Sequence, residues 1–338
     1  MTMTRNCPPA LLWGRLAWHP AVKAWNEVAD DPVVPESIEV LRPGSPSAAY
    51  RLMGAGPDGG NVVARQVPVR QAALERAVYE DILPHLPVAA PRAYGCWAEG
   101  EHGTWLFLED VGDERYCLAD RMHRALAARW VGRLHTEATC IVGAQTLPDA
   151  GPPRYLEHLR AGRRAIRAHL ANPALSAVQV DMLQRPVACL DALEHEWARI
   201  ERACAGVPAT LVHGSLRPWN LRLRNHANGG GPELLSINWK TAGWGVPAAD
   251  LPSIDLLTYW STVRARWPDV AFADVRRLAG VGRVFRRLAA IRRLAEPGAD
   301  SPGRLGPVLA SLQSLHLRLA DAVRALHSHR VDENAYLA

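Results

Sequence analysis

Two short stretches hold most of the residues that could do chemistry in a fixed order, "LVHGSLRPWNLRL" at 211–223 and "LLSINWKTAGWG" at 234–245. The first offers the imidazole of His213, the hydroxyl of Ser215 and the carboxamide of Asn220. The second offers the carboxamide of Asn238 and the ammonium of Lys240, and the carboxylate of Asp250 follows in "PAADL". Such a loop and strand suit phosphoryl transfer, which needs a cation on the phosphates, an acid to hold it, metal ligands, and a carboxylate to take the acceptor's proton. Where a carboxylate matters most, the chain carries the uncharged Ser215 and Asn238. A nucleophilic Ser215 served by His213 is disfavoured, because H-G-S lacks the G-x-S-x-G elbow. His213 and Asn220 would also serve as plain loop braces.

The elements that must position these groups change character along the chain. Residues 38–67 read as a three-strand meander, "SIEVLRP", "SAAYRLM" and "NVVARQV", broken at "GSP" and "GPDGG". From Gln71 the spacing of Leu74, Val78 and Ile82 predicts a helix that ends near Pro84 and Pro87, and "TWLFLEDVG" at 104–112 reads as a strand entering a loop. Beyond about residue 118 helical patterns dominate, with Pro186 expected to kink or shorten one of them. The two motif stretches read as one hairpin, "ATLVHG" with "ELLSINW", inside that helical region. Trp219, Trp239 and Trp244 read as core packing.

With 338 residues, 48% hydrophobic and 22% charged, the chain suits an ordered protein of about two lobes. The N-terminal apolar stretch is interrupted by Arg15 and lacks a small-residue cleavage site, and no apolar run reaches the roughly 18 to 20 residues of a membrane span. A cytoplasmic protein with no membrane association is expected. The six cysteines show no metal-ligand spacing and read as reduced core thiols. The net charge of +5 comes with no nucleic-acid-binding motif, so no nucleic-acid partner is expected.

A small sheet, a helix, a linker and a helical lobe, with "VHGSLRPWNL" followed by "LLSINWKTAGWGVPAADL", resembles the aminoglycoside phosphotransferase and choline kinase-like family over roughly residues 35–330. The resemblance implies an α+β, bilobal protein-kinase-like fold, with a small antiparallel-sheet N-lobe and a larger, mainly helical C-lobe. Its expected parts are an N-terminal helical extension at 1–34, an N-lobe at 35–112 and a C-lobe at 113–338. It also assigns roles. Ser215 stands at the catalytic aspartate position, Asn220 matches the metal-binding asparagine, Asn238 replaces the metal-binding aspartate, and Asp250 matches an acid that braces the catalytic loop. Arg65 takes the place of the phosphate-binding lysine with Glu75 as its ion-pair partner. Gly44 and Ser45 belong to the nucleotide loop "RPGSPS", and Glu109 to the interlobe hinge.

The implied cofactors are ATP and magnesium, which the changed residues disfavour. Losing a general base costs a factor of about 10² to 10⁴, and magnesium sites generally use one or two carboxylates. The loop's single glycine gives few backbone donors for phosphate. Arg65 and Glu75 could equally be an ordinary surface pair worth about 0 to 1 kcal/mol. The leading expectation is a pseudokinase that binds a small molecule, a nucleotide or a partner protein. The alternatives are an active phosphotransferase on a small-molecule or peptide hydroxyl, and a cleft reused for non-phosphoryl chemistry. Arginines at 276, 277, 283, 286, 287, 292 and 293 suit a solvated helix face, or an acidic ligand or partner, and weigh against a polycationic aminoglycoside.

Overall fold

The alternation of apolar and polar residues through 38–67 builds the sheet that the site rests on. The computed structural model describes residues 10–44, 48–100, 103–141, 143–225, 231–295 and 305–335. Strands β1 (Ala10–Leu12), β2 (Ile38–Arg42), β3 (Ala49–Leu52), β4 (Val62–Val67), β5 (Ala93–Ala98) and β6 (Thr104–Glu109) form a six-stranded sheet in the order β1-β2-β3-β4-β6-β5. All neighbours in it are antiparallel. The period of two sorts the side chains. Ile38, Leu52, Val62, Ala64, Trp105 and Phe107 enter one apolar cluster, whereas Arg51, Val63 and Arg65 line a cavity on the other face.

From Ala10 on, where the described residues begin, the stretch expected as a helical extension at 1–34 is part of the sheet unit. β1 adds an edge strand, and α1 (Pro20–Asn26) places Ala21, Val22, Ala24 and Trp25 in the sheet's own cluster. Trp25 Nε1 also donates to the Ala55 carbonyl at 3.1 Å. An apolar helix face of this kind needs a partner surface, and the sheet supplies it. β5 was missed because "AYGCWA" carries a glycine and few β-branched residues. Helix α2 (Val69–Arg76) runs on through a π turn at Ala77–Ile82 and a 3-10 turn at Leu83–His85, and the chain becomes extended at Leu86, just before Pro87.

The helical part comprises α3 (Arg121–Ala138), α4 (Pro152–Leu170), α5 (Ala177–His195), α6 (Trp197–Cys204), α7 (Leu256–Val263), α8 (Phe272–Ala295) and α9 (Leu305–Ala335). Asp120 caps α3 by accepting from the Met122 N–H at 2.7 Å, and Ser176 with Gln179 forms a capping box on α5. Pro186 does not end α5. Its ring is buried inside the helix, which offsets the missing donor, and the chain turns instead at Glu196 (φ −96, ψ 9).

The expected single hairpin is replaced by two ladders. β7 (Thr210–Val212) pairs with β10 (Gly243–Gly245), and β8 (Leu221–Arg224) pairs with β9 (Glu233–Ser236). β8 and β9 lie closer in sequence than β7 and β9, so the loop they close is shorter. The chain forms two compact units, one of residues up to 116 together with 218–240, the other of 117–217 together with 241 onward. The segment 218–240 thus joins the sheet unit rather than the helical one, unlike the division drawn after residue 112. The Leu223 N–H donates to the Glu114 carbonyl at 3.0 Å, and the backbones of Arg115 and Arg222 form a bridge. No helix of the described residues is long and apolar enough to cross a membrane.

In the helical unit Tyr155 stacks on Phe285 with centroids 3.9 Å apart, joining α4 to α8. Beside this contact, Arg292 donates to Nδ1 of half-buried His158 at 2.8 Å. Burial, with Arg292 and Arg154 nearby, brings the pKa of His158 down to about 4. The unfolded chain therefore takes a proton near pH 6.5 that the folded chain refuses until about pH 4. Stability is complete above the unfolded value and falls as pH drops through this window, by on the order of 1 to 2 kcal/mol after allowing for partial solvent exposure. Melting curves from pH 4.5 to 7.5 are expected to show this slope in wild type and a flatter one in His158→Gln. Equal slopes would exclude His158 as its source.

Candidate functional site

In the sheet unit, β4 presents Arg65 and α2 presents Glu75. Arg65 Nη1 lies 2.7 Å from Glu75 Oε2, and Gln71 Nε2 donates to Glu75 Oε1 at 2.6 Å. Glu75 is 0% exposed, so this is a buried ion pair and not the ordinary surface pair. Burial opposes the charge on Arg65, yet Glu75 outweighs it and raises the guanidinium pKa.

Arg65 Nη2 also donates to Asn238 Oδ1 at 3.3 Å. Asn238 Nδ2 donates to Asn220 Oδ1 at 3.2 Å, and the Asn238 N–H to Tyr79 Oη at 3.2 Å. Asn238 has φ 70, a left-handed conformation that asparagine and aspartate tolerate better than most residues. The structure therefore joins Arg65, Glu75, Asn220 and Asn238 in one network.

These residues do not fit magnesium. Neither amide position supplies a negative charge, both amide oxygens already accept from protein donors, and Arg65 and Lys240 line the same cavity. Among the described residues no group of three or more His, Cys, Asp or Glu side chains could hold a metal ion.

A second cluster on the same face escaped the sequence reading. Arg51 on β3 pairs with Glu39 directly across on β2, with Asp110 at 2.8 Å and with Asp113 at 2.8 Å. Its side chain is only 8% exposed. Burial opposes the charge, but Asp113, Asp110 and Glu39 together raise the pKa of Arg51, and the pairing holds Asp113 below the usual carboxylate range. A charged residue on the non-core face of a strand, opposite an acid on its neighbour, was the available signal.

The other predicted residues fall in the helical unit. Asp250 is fully buried and accepts the His213 N–H at 2.7 Å and the Gly214 N–H at 2.9 Å. His135 Nε2 lies 3.5 Å from it, and His135 Nδ1 is 2.9 Å from Tyr259 Oη. Burial alone would raise the pKa of Asp250, but His135, His213 and the backbone donors hold it below the ordinary value. His213 Nδ1 accepts the Ser215 N–H at 3.2 Å, so the imidazole braces the turn. Gly214 takes φ 74, and a Cβ there would lie 2.5 Å from the Thr241 carbonyl oxygen.

Arg286 adds a brace that the sequence reading placed on an open helix face. Its guanidinium donates to the carbonyls of Leu216 and Ala249, each at 2.9 Å, and to Ser253 Oγ at 2.6 Å. Burial, with Arg217 and Arg287 nearby, outweighs Asp250 and brings its pKa down to about 10. The arginine run is thus mixed: Arg277 pairs with Asp274 and Arg292 with His158, while Arg276 and Arg293 are exposed.

Of the remaining predicted residues, Glu109 lines the cavity, yet its carboxylate is engaged by Arg224 at 2.8 Å and by the Arg92 N–H at 3.0 Å. Gly44 is an exposed residue with φ 98 and is not a lining residue, and Ser45 lies outside the described residues. Trp239 is buried as expected, whereas Trp219 is 58% exposed and lines the cavity. The same cavity includes Lys240.

A six-stranded antiparallel sheet unit with a buried Arg–Glu pair, and a helical unit with an acid-braced H-G-S turn, define a protein-kinase-like phosphotransferase fold. The chain belongs to the APH family, the phosphotransferase enzyme family, whose profile matches residues 47–291.

The structure is similar to that of a Ralstonia eutropha protein assigned as an aminoglycoside phosphotransferase. The two share 14% identity at a TM-score of 0.57, over 90% of this chain and 98% of that one. Choline kinase from Cryptosporidium parvum is similar at 12% identity and a TM-score of 0.57, over 92% and 93%. An aminoglycoside 2'-phosphotransferase solved as a GDP complex is similar at 14% identity and a TM-score of 0.52, over 90% and 95%. At these identities the likeness shows the fold. Comparison with curated proteins gave no match.

Proposed function

We propose that the protein is a pseudokinase of its family, keeping the fold to bind a small molecule, a nucleotide or a protein partner while phosphoryl transfer is lost or strongly impaired. The observation that carries this reading is the network of Asn220, Asn238 and Arg65, in which both carboxamide oxygens bond to protein donors and Asn238 stands where metal chemistry uses a carboxylate. Ser215 adds a second loss, since a hydroxyl takes no proton from an acceptor at neutral pH. Each defect lowers the same rate, and the missing general base alone lowers it by about 10² to 10⁴. The free cysteines among the described residues support a reducing compartment, the cytoplasm, although they are not all the core thiols expected, since Cys204 is buried and Cys117 and Cys140 are exposed. The exposed Arg276 and Arg293 favour an acidic partner over a polycationic aminoglycoside.

The preserved Arg65–Glu75 pair favours a second reading, an ATP-dependent phosphotransferase on a small-molecule or peptide hydroxyl, with ATP and magnesium as cofactors. One assay separates them. Purified protein with ATP, magnesium and a panel of amino alcohols, sugars and hydroxyl peptides is expected to turn over well below the roughly 1 to 100 per second of ordinary kinases. Turnover within that range with any acceptor would overturn the pseudokinase reading.

A further inference from the structure

We propose that the second half of α8 and the turn of α9 beside it dock an acidic peptide segment of a partner protein, whose carboxylates bond to Arg283, Arg287, Arg293 and Arg318. This inference rests on the reading that the protein acts by binding, and it gives the partner a chemistry. All four arginines belong to the helical unit.

Seven of the 24 residues of α8 are arginines, against the single acid Asp274. Three of the seven serve the fold: Arg277 pairs with Asp274, Arg286 holds backbone carbonyls and Arg292 meets His158. Arg283 and Arg287 lie four residues apart and share one stripe of the helix, and Arg293 follows, exposed. Helix α9 passes beside that stripe, since a Cβ on Gly280 would lie 2.6 Å from the Leu326 side chain. Its Arg318 is close enough for its charge to act on Arg287. The acids nearby are taken, Asp321 by Arg324 and Asp181 on α5 by Arg185. Among the described residues, no carboxylate pairs with Arg283, Arg287, Arg293 or Arg318.

A run of arginines on a solvated helix spreads into water, but these converge. Arg287 Nε is buried with no hydrogen-bond partner, and burial, then the charge of Arg318, lowers the pKa of this guanidinium. Burial and then the charges of Arg293 and Arg287 do the same to Arg217. Like charges this close repel, and a carboxylate relieves that repulsion through forked, charge-assisted hydrogen bonds to guanidinium. From Arg283 to Arg293 the helix rises about 15 Å, the length of about five residues of extended chain. Single-stranded nucleic acid would need aromatic platforms. Helix α9 has no Phe, Trp or Tyr, and the two phenylalanines of α8 pack on Trp260 and Tyr155. Leu317, exposed next to Arg318, suits an apolar residue between acidic ones.

The test titrates the full chain into a fluorescent peptide of alternating glutamate and leucine and follows its anisotropy, beside the glutamine counterpart, a single-stranded DNA of equal charge, and phosphatidylserine vesicles. The glutamate peptide is expected to bind, more weakly at high salt, and the glutamine peptide not to bind. Arg293→Gln and Arg318→Gln should each weaken binding by about threefold to tenfold, and together by about tenfold or more, between the worth of an exposed ion pair and that of a charge-assisted hydrogen bond. Arg164→Gln, on α4 and already paired with Glu157, should leave it unchanged. Arg293 and Arg318 are exposed, so their variants should melt as wild type does.

No binding of the glutamate peptide, equal binding of the glutamine one, binding kept by the double variant, an equal loss in Arg164→Gln, or tighter binding of DNA or vesicles would each overturn the inference. Absence of peptide binding would leave the loss of phosphoryl transfer standing. That reading falls only to turnover in the kinase assay, which can occur or fail whatever the peptide titration shows.

Discussion

Asp250→Ala is expected to lower the stability of the helical unit by about 3 to 5 kcal/mol, the range found when one partner of a buried charged network is removed. The wild-type carboxylate is 0% exposed and holds the His213 and Gly214 N–H groups at 2.7 and 2.9 Å. Without it, two amides of the H-G-S turn lose their acceptor, at about 1 to 3 kcal/mol each.

Asp250→Asn keeps the shape and one acceptor and should lose less. The sign with pH follows from the depressed folded pKa. The carboxylate's contribution is present above the unfolded value of about 3.9 and disappears as pH falls through the lower folded value. The deficit of Asp250→Asn is therefore expected at pH 7 and should shrink in acid. Urea unfolding followed by tryptophan fluorescence at pH 7 and pH 3.5 measures both. A loss below 1 kcal/mol at pH 7 for the alanine variant would mean that the turn does not depend on this acid.

Arg65→Ala is expected to cost a similar 3 to 5 kcal/mol in the sheet unit, because Glu75, 0% exposed, would be left as an uncompensated buried charge. The double variant Arg65→Met, Glu75→Leu should recover most of the loss, since apolar side chains of similar volume can replace a buried pair at little cost. Three denaturation curves decide it. If Arg65→Ala alone costs less than about 1 kcal/mol, the pair behaves as the surface interaction that sequence spacing equally allowed. If the double variant is as weak as the single one, the loss comes from packing around α2 and not from charge.

Much of the sheet was legible because its period of two is strict. Ile38, Leu52, Val62 and Ala64 reach the core while Glu39, Arg51, Val63 and Arg65 fall on the other face, and glycines or prolines punctuate the runs. The strand β1 was not legible, because three residues with no alternation become a strand only when β2 offers its edge. The partners of β7 and β9 were misjudged for a related reason. Apolar short strands carry no label for their neighbours, and register is set by contacts far away in sequence.

The site divides along the same line. The sequence by itself determined that uncharged residues stand at 215 and 238, because residue identity fixes charge and donor type, and the family resemblance in its motifs implied the roles of Asn220 and Asp250 and the pairing of Arg65 with Glu75. Only the tertiary structure decided what those groups bond to. It turned Arg65–Glu75 into a buried pair, engaged both asparagine oxygens, gathered Glu39, Asp110 and Asp113 around Arg51, and drew Arg286 off an apparent open face to brace the H-G-S turn. Burial and partner choice arise from packing between distant segments, and the free energy of a charge depends on both.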